Sequence, residues 1–168
     1  MELSFTGEHR HKVDGKGRVS IPSQFRRVLE GADPDWTEGL SPGVYLQYGA
    51  SKQVHLECFT VTAWREVTAK IKAMPRGSQQ RRTLEKLFSA KVIQTTVDDT
   101  GRLVLPAWVR EKLGLSDQAT FVATGDTFQV WSPENYAEVE AELEEELDAL
   151  PDGMDPLEWL DAASGSGG

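Results

Sequence analysis

The chain has 168 residues and a mass of 18.6 kDa, enough for one substantial domain or two small ones, and its 39% hydrophobic and 27% charged residues predict a buried core in a soluble chain. No apolar run approaches the roughly 20 residues of a membrane span, Glu2, Glu8 and His9 argue against a secretory leader, and the single cysteine, Cys58, excludes an internal disulfide and a Cys-rich zinc site. The net charge of −9 argues on average against a nucleic-acid partner, but all twelve acidic residues of 134–168 stand without a Lys or Arg, which leaves residues 1–133 at +3.

The chain opens on a basic stretch, His9-Arg10-His11-Lys12, that leads into Val13-Asp14-Gly15-Lys16-Gly17-Arg18. Gly15 and Gly17 suit a tight reversal, and Val19 and Ile21 alternate as in a strand. Pro22 then suits the first position of a short helix whose apolar face is Phe25, Val28 and Leu29. A Pro/Gly-rich segment, Gly31–Gly43, precedes a predicted hairpin of Val44–Tyr48 and Val54–Cys58. Val61, Trp64, Val67, Ile71 and Met74 recur at helical spacing up to the stop at Pro75-Arg76-Gly77. Ser78 can cap a second helix carrying Leu84, Leu87 and Phe88.

The pattern then returns. Eighty-four residues on, Val97-Asp98-Asp99-Thr100-Gly101-Arg102-Leu103-Val104-Leu105-Pro106 matches the first motif, and over 13–29 against 97–113 seven of 17 positions are identical. About one would match by chance. Arg26 with Arg110 and Leu29 with Leu113 are among the seven. A helix with Val109 and Leu113 follows, and Gly125-Asp126 reads as the turn of a hairpin between Thr120–Thr124 and Thr127–Trp131. The unit is β–turn–β–α–β–β, twice, and two such units in one chain can pair the open edges that leave either one marginal alone. Tyr136, Val139, Leu143 and Leu147 mark a stripe on an acidic helix that ends at Pro151-Asp152-Gly153, and the last residues read as a disordered tail.

Two Val-Asp-x-x-Gly-Arg motifs, each followed by a strand and a Pro-opened helix, resemble the AbrB-like swapped-hairpin barrels, and two copies joined by a helical pair resemble the MraZ family of bacterial transcriptional regulators. The resemblance covers about residues 5–147. It implies an α+β fold, a double swapped-hairpin β-barrel, with a first repeat at 5–58, a helical pair at 59–90, a second repeat at 91–132, an acidic helix at 133–150 and a disordered tail at 151–168. It also implies sequence-specific binding of double-stranded promoter DNA at repeated short boxes, as a ring-shaped homo-oligomer. The regulator would be cytoplasmic and nucleoid-associated, repressing the division and cell-wall gene cluster together with its own promoter, with no membrane, metal or cofactor involved.

On this reading Arg18 and Arg102 are the base readers, because a planar guanidinium matches O6 and N7 of guanine. Asp14 and Asp98, each four residues before its arginine, can brace the guanidinium bidentately or form the turn. Lys16 is the phosphate contact or a solvated lysine. Thr100 replaces it in the second copy, beside Asp99, which leaves that turn less positive. Arg10 and its neighbours either add phosphate contacts or form an exposed strand face. His9-x-His11 lacks a third metal ligand nearby. Arg26, with Glu30 at i+4, predicts a surface ion pair, and Arg76, Arg81, Arg82 and Lys86 predict a solvated helix face or a subunit contact. Trp64, Trp108, Trp131 and Tyr136 are expected in the core or an interface. The acidic helix could pair with that basic face or keep DNA off its own side. Enzyme motifs are absent: no Walker loop, no His-Glu-x-x-His and no Gly-x-Ser-x-Gly. The competing readings are an antitoxin-like protein whose acidic tail binds a toxin and a structural oligomer whose turns make subunit contacts.

Overall fold

A computed structural model describes residues 4–165 and divides them into two compact units that meet between Tyr136 and Ala137. The first unit is mixed α+β. Its strands are β1 (Glu8–Lys12), β2 (Arg18–Ser20), β3 (Gly43–Gln47), β4 (Leu56–Phe59), β5 (Val92–Thr96), β6 (Arg102–Val104), β7 (Gln118–Ala123) and β8 (Thr127–Trp131). Its helices are α1 (Ser23–Gly31), α2 (Val61–Lys72), α3 (Gln79–Glu85), which widens into one π-helical turn at Lys86–Ala90, and α4 (Ala107–Leu113). The order β–β–α–β–β thus occurs twice, with α2 and α3 between.

The strands are antiparallel throughout and lie in the order β1-β7-β8-β4-β3-β5, with β2 and β6 forming a separate pair. Exchanging the repeats reverses that order onto itself. Each repeat gives its first strand to the other repeat's hairpin: β1 pairs with β7 of the second repeat, and β5 of the second repeat pairs with β3 of the first. The exchange continues at the turns, where Ile21 N donates to Gly101 O (3.0 Å) and Leu105 N donates to Gly17 O (2.8 Å). Neither repeat could keep these strands paired alone, which is the physical reason for two copies in one chain.

The core gathers one face of every strand and both short helices. Phe25, Val28 and Leu29 of α1 and Val109 and Leu113 of α4 are buried with Val44, Leu46, Leu56, Phe121, Phe128 and Val130. Phe25 packs against Phe5 at 5.1 Å and Phe128 at 5.0 Å between ring centres, and such aromatics each contribute about 1.5–3 kcal/mol of burial. A second cluster, Tyr45, Phe59, Val61 and Ala63, lies beneath α2, where Trp64 stacks on Tyr45 at 4.1 Å.

Several elements differ from the sequence reading. Pro22 and Pro106 stand one residue before α1 and α4, each accepting the amide N–H of the arginine four residues on, Arg26 (3.1 Å) and Arg110 (3.0 Å). The first hairpin is shorter than predicted because the Gln53 amide bonds Gln47 O and His55 O and holds the intervening chain out of the ladder. Trp108 is half exposed, touching Tyr48 edge-on at 4.9 Å, so it is not a core residue of this chain. Arg81 does not belong to a solvated face. Its side chain is 11% exposed, and its Nη1 donates to Lys72 O and Met74 O at the end of α2.

The helix α5 (Pro133–Asp148) begins in the first unit, where Ser132 caps it through the Asn135 N–H (3.0 Å), and its remainder opens the second. Leu143 and Leu147 on it are exposed. Where the sequence predicted a disordered tail, a further helix, α6 (Glu158–Gly165), forms. The Asp155 carboxylate accepts the Leu157 N–H (2.9 Å), and Glu158 and Asp161 in the first turn oppose the helix dipole favourably. The final residues of that predicted tail, 166–168, lie outside the described residues. Among the described residues no helix is long and apolar enough to cross a membrane.

Candidate nucleic-acid interface

Each motif builds its own turn from a single aspartate. Asp14 N donates to Arg18 O (3.0 Å) and Gly17 N donates to Asp14 O (3.0 Å), while Asp14 Oδ1 accepts the amides of Lys16 and Arg18 (2.9 Å each). The second motif repeats this with Asp98, Gly101 and Arg102. Gly17 and Gly101 sit at φ +84° and +80°, in the left-handed region that side chains disfavour. At Gly17 a Cβ would also lie 2.2 Å from Leu105 O, so the close approach of the two repeats demands glycine there.

The turns lead into the β2–β6 ribbon, in which Arg18 faces Val104, Val19 faces Leu103 and Ser20 faces Arg102. Strand alternation sends Val19 and Leu103 inward, both 1% exposed, and sets Arg18, Ser20, Arg102 and Val104 on the outer face. The two arginines therefore share one surface, with Cα atoms about 8 Å apart on ideal strand spacing. An open groove of about 380 Å³ runs between them, lined by Lys12, Val13, Asp14, Arg18, Ser20, Arg102 and Asp117.

The two guanidinium groups are held differently. Arg18 Nε donates to Asp14 Oδ2 at 2.7 Å, a one-point contact and not the bidentate brace expected from the sequence. The fork formed by its Nη1 and Nη2 has no hydrogen-bond partner among the described residues. Arg102 has no such ion pair: its Nε donates to Thr100 Oγ1 (3.0 Å), whose own hydroxyl donates to Asp98 Oδ1 (2.7 Å). Thr100 thus stands between acid and base in the second turn. The reason is positional, since the Thr100 hydroxyl reaches Asp98 Oδ1 and Lys16 in the first turn carries only donors.

These bonds set the carboxyl acidities. Asp14 is lowered to about 2, chiefly by the Arg18 N–H; desolvation opposes this as the next largest influence, and the Arg18 guanidinium and the Lys16 N–H lower it further. Asp98 is lowered chiefly by the Thr100 hydroxyl and then by the Arg102 N–H. Both turns keep their carboxylates ionised at neutral pH, so each motif presents a buffered charge and not a bare cation.

Not every residue singled out in the sequence meets at the groove. Arg18, Arg102 and Asp14 do. Lys16 and Thr100 are exposed on the turn tips, and Asp98 lies beneath the second tip. Arg10 is exposed on β1 opposite Thr120 and does not line the groove; Lys12, two residues nearer the turn, does. Alternation along β1 was the signal for Lys12, since it places Glu8, Arg10 and Lys12 on one face and His9 and His11 on the other. His9 packs on Phe25 and His11 on Phe121, where His11 Nδ1 also meets Ser20 O. Ser20 and Asp117 were not anticipated. Among the described residues no three His, Cys, Asp or Glu side chains converge as metal ligands, and burial pushes the Cys58 thiol well up.

A family model described as "MraZ protein, putative antitoxin-like" matches residues 4–87 and 89–154. A relative named transcriptional regulator MraZ from Ruegeria sp. (strain TM1040) is 56% identical over 167 residues, covering 99% of this chain and 100% of its own. One of the same name from Ruegeria pomeroyi (strain ATCC 700808 / DSM 15171 / DSS-3) is 52% identical with the same coverage. A more distant one from Roseiflexus sp. (strain RS-1) is 30% identical over 135 residues, covering 80% of this chain and 85% of its own. These names point to transcription regulation and not to catalysis.

Proposed function

The chain belongs to the MraZ family, and from that premise we propose that it binds double-stranded DNA sequence-specifically through its two Asp-x-x-x-Arg turns. The observation that carries this reading is the shared outer face of one ribbon, on which Arg18 and Arg102 flank a single groove. A two-stranded ribbon fits the major groove, about 12 Å wide, and each arginine fork on a guanine is worth about 1–3 kcal/mol of discrimination. With the arginine Cα atoms about 8 Å apart and base pairs rising about 3.4 Å, the guanines they read lie two to three steps apart. Asp14 orients Arg18, Asp98 and Thr100 orient Arg102, and Lys16 and Lys12 meet phosphates; Arg10 is a flanking phosphate contact.

On this reading the two repeats, 5–58 and 91–132, close as a swapped-hairpin barrel, with 59–90 between them and 133–168 appended. The groove carries three cations against Asp14 and Asp117, and residues 1–133 only +3, so one protomer binds weakly. Affinity comes from a ring-shaped homo-oligomer on repeated boxes, in a cytoplasmic, nucleoid-associated repressor of the division and cell-wall gene cluster and its own promoter. Linked engagement of several boxes raises affinity by about 10²–10⁴ over one. A gel shift comparing single-box and multi-box duplexes tests this; equal affinities refute it. The antitoxin likeness in the family description supports a second reading, in which the acidic second unit, with Leu157, Trp159 and Leu160 exposed, takes a basic protein partner. Specific binding to promoter DNA that survives deletion of 149–168 separates the two.

A further inference from the structure

Arg26 and Arg110 are identical in the repeat alignment, yet ion pairing does not account for both. Arg26 Nε meets Glu30 Oε2 at 3.4 Å. Arg110 has Gly114 at i+4 and no carboxylate; its Nε donates instead to Leu105 O at 3.1 Å. What they share is a target. The Cβ that Gly17 lacks would lie 3.0 Å from Arg110 Nε, and the one Gly101 lacks would lie 3.3 Å from Arg26 Nη1. Each guanidinium therefore lies over the motif glycine of the opposite repeat. The same glycines are held from the backbone by that opposite repeat, Gly17 O by Leu105 N and Gly101 O by Ile21 N.

We propose that Arg110 and Arg26 are crossed positioning residues: Arg110 fixes the peptide that aims Arg18, and Arg26 fixes the one that aims Arg102. Gly17 and Gly101 directly precede the reading arginines; the C=O of each glycine is tied to the opposite repeat and the following arginine N–H to the motif aspartate, but with no side chain the open face of the glycine carries no packing of its own to limit how far that peptide tilts. A guanidinium resting on that face limits the remaining tilt, and reading a base edge requires the fork to be held to within about 0.5 Å. The two turns are then coupled, because each is set by a helix of the other repeat. The proposal rests on the reading that Arg18 and Arg102 contact DNA.

Affinities for one box and all its single-base variants, measured with Arg18→Ala and Arg102→Ala, assign a base position to each arginine. Arg110→Lys keeps the charge but not the planar guanidinium. The expected result is a loss of discrimination of about fivefold or more at the position of Arg18, with that of Arg102 retained within about twofold. Arg26→Lys gives the reciprocal pattern, and circular dichroism confirms that each variant folds. Near-wild-type binding by the lysine variants, with a uniform loss and a shallower salt dependence in Arg110→Ala, would make Arg110 a phosphate contact and overturn the proposal. So would a loss at the arginine of its own repeat. Without DNA, the amide spectrum of Arg110→Lys shifts at Gly17 and Arg18 and not at Gly101; the opposite pattern overturns it independently. If neither Arg18→Ala nor Arg102→Ala changes a base preference while these amide shifts appear, the DNA reading fails and the crossed contact stands.

Discussion

Alanine at Gly17 should be far more disruptive than alanine at any other glycine of the two turns. Three contributions are separable by position. A non-glycine residue in the left-handed region costs about 1–2 kcal/mol. The added Cβ would lie 2.2 Å from Leu105 O, which is backbone and cannot rotate aside. Moving it away strains the bond from Leu105 N to Gly17 O, at about 0.5–1.5 kcal/mol, and forces a backbone shift of about 1–3 kcal/mol. Against these, alanine stiffens the unfolded chain by about 0.4–1 kcal/mol. The sum is a loss of about 1.5–6 kcal/mol, or a fall in melting temperature on the order of 10 °C for a chain of this size. Gly125→Ala, at φ +83° with open space around it, isolates the backbone strain and loses about 1 kcal/mol. Gly101→Ala should resemble it, because its nearest obstacle is a side-chain tip, Arg26 Nη1 at 3.3 Å, which need yield only slightly where the Leu105 backbone cannot. Gly15→Ala, with no positive φ and nothing nearby, should be neutral or slightly stabilising. Urea unfolding of the four variants ranks them. A Gly17→Ala loss no greater than that of Gly125→Ala would refute the cross-repeat approach at Leu105.

Further expectations concern single groups. Arg18→Ala should abolish specific DNA binding while moving the melting temperature by less than about 3 °C, since its ion pair is well exposed; a large thermal loss would assign it a bracing role alone. Carbon-13 titration of Asp14 should give a midpoint near 2, and Arg18→Ala should raise it only part of the way to 3.8, because the Arg18 N–H is its foremost cause. Because the folded value is depressed, the stabilisation is complete above 3.8 and fades as pH falls through about 2; a full return to 3.8 in the variant would contradict the backbone's part. Burial raises Glu57, whose Oε2 has no hydrogen-bond partner, so Glu57→Gln should melt higher at pH 8 and lose that advantage as pH falls toward 4.5. An equal or lower melting temperature at pH 8 would count against it.

What could be read from the chain alone was whatever is local. The Asp14–Arg18 and Asp98–Arg102 turns, the Ser78 cap and the Gly125 turn each announce themselves within a few residues, because the bonds that form them span four positions or fewer. Pairing is different. Alternation marks Val19 and Ile21 as strand residues but cannot say that Val19 lies opposite Leu103, 84 residues away, or that β1 lies beside β7. Repetition helped because two half-folds with open edges have few other places to go. Arg26 and Arg110 illustrate the limit. The i+4 rule found Glu30 for one and had nothing to offer the other, whose partner is a backbone carbonyl, while their identity in the alignment was the clue that both serve one geometry. The helix at Glu158–Gly165 was hidden by the Ser and Gly at its end, although Asp155 just ahead of it turns the chain by accepting the Leu157 N–H.

DNA recognition here depends on two arginine forks meeting guanines, and methylation of guanine N7 tests that contact directly. In a methylation-interference experiment on promoter DNA, wild-type binding should be blocked by N7 methylation at two guanines per box, two to three steps apart. Arg18→Ala should become indifferent to one of them and Arg102→Ala to the other. Binding insensitive to N7 methylation, or an interference pattern unchanged by both substitutions, would contradict the claim that these side chains read the major groove.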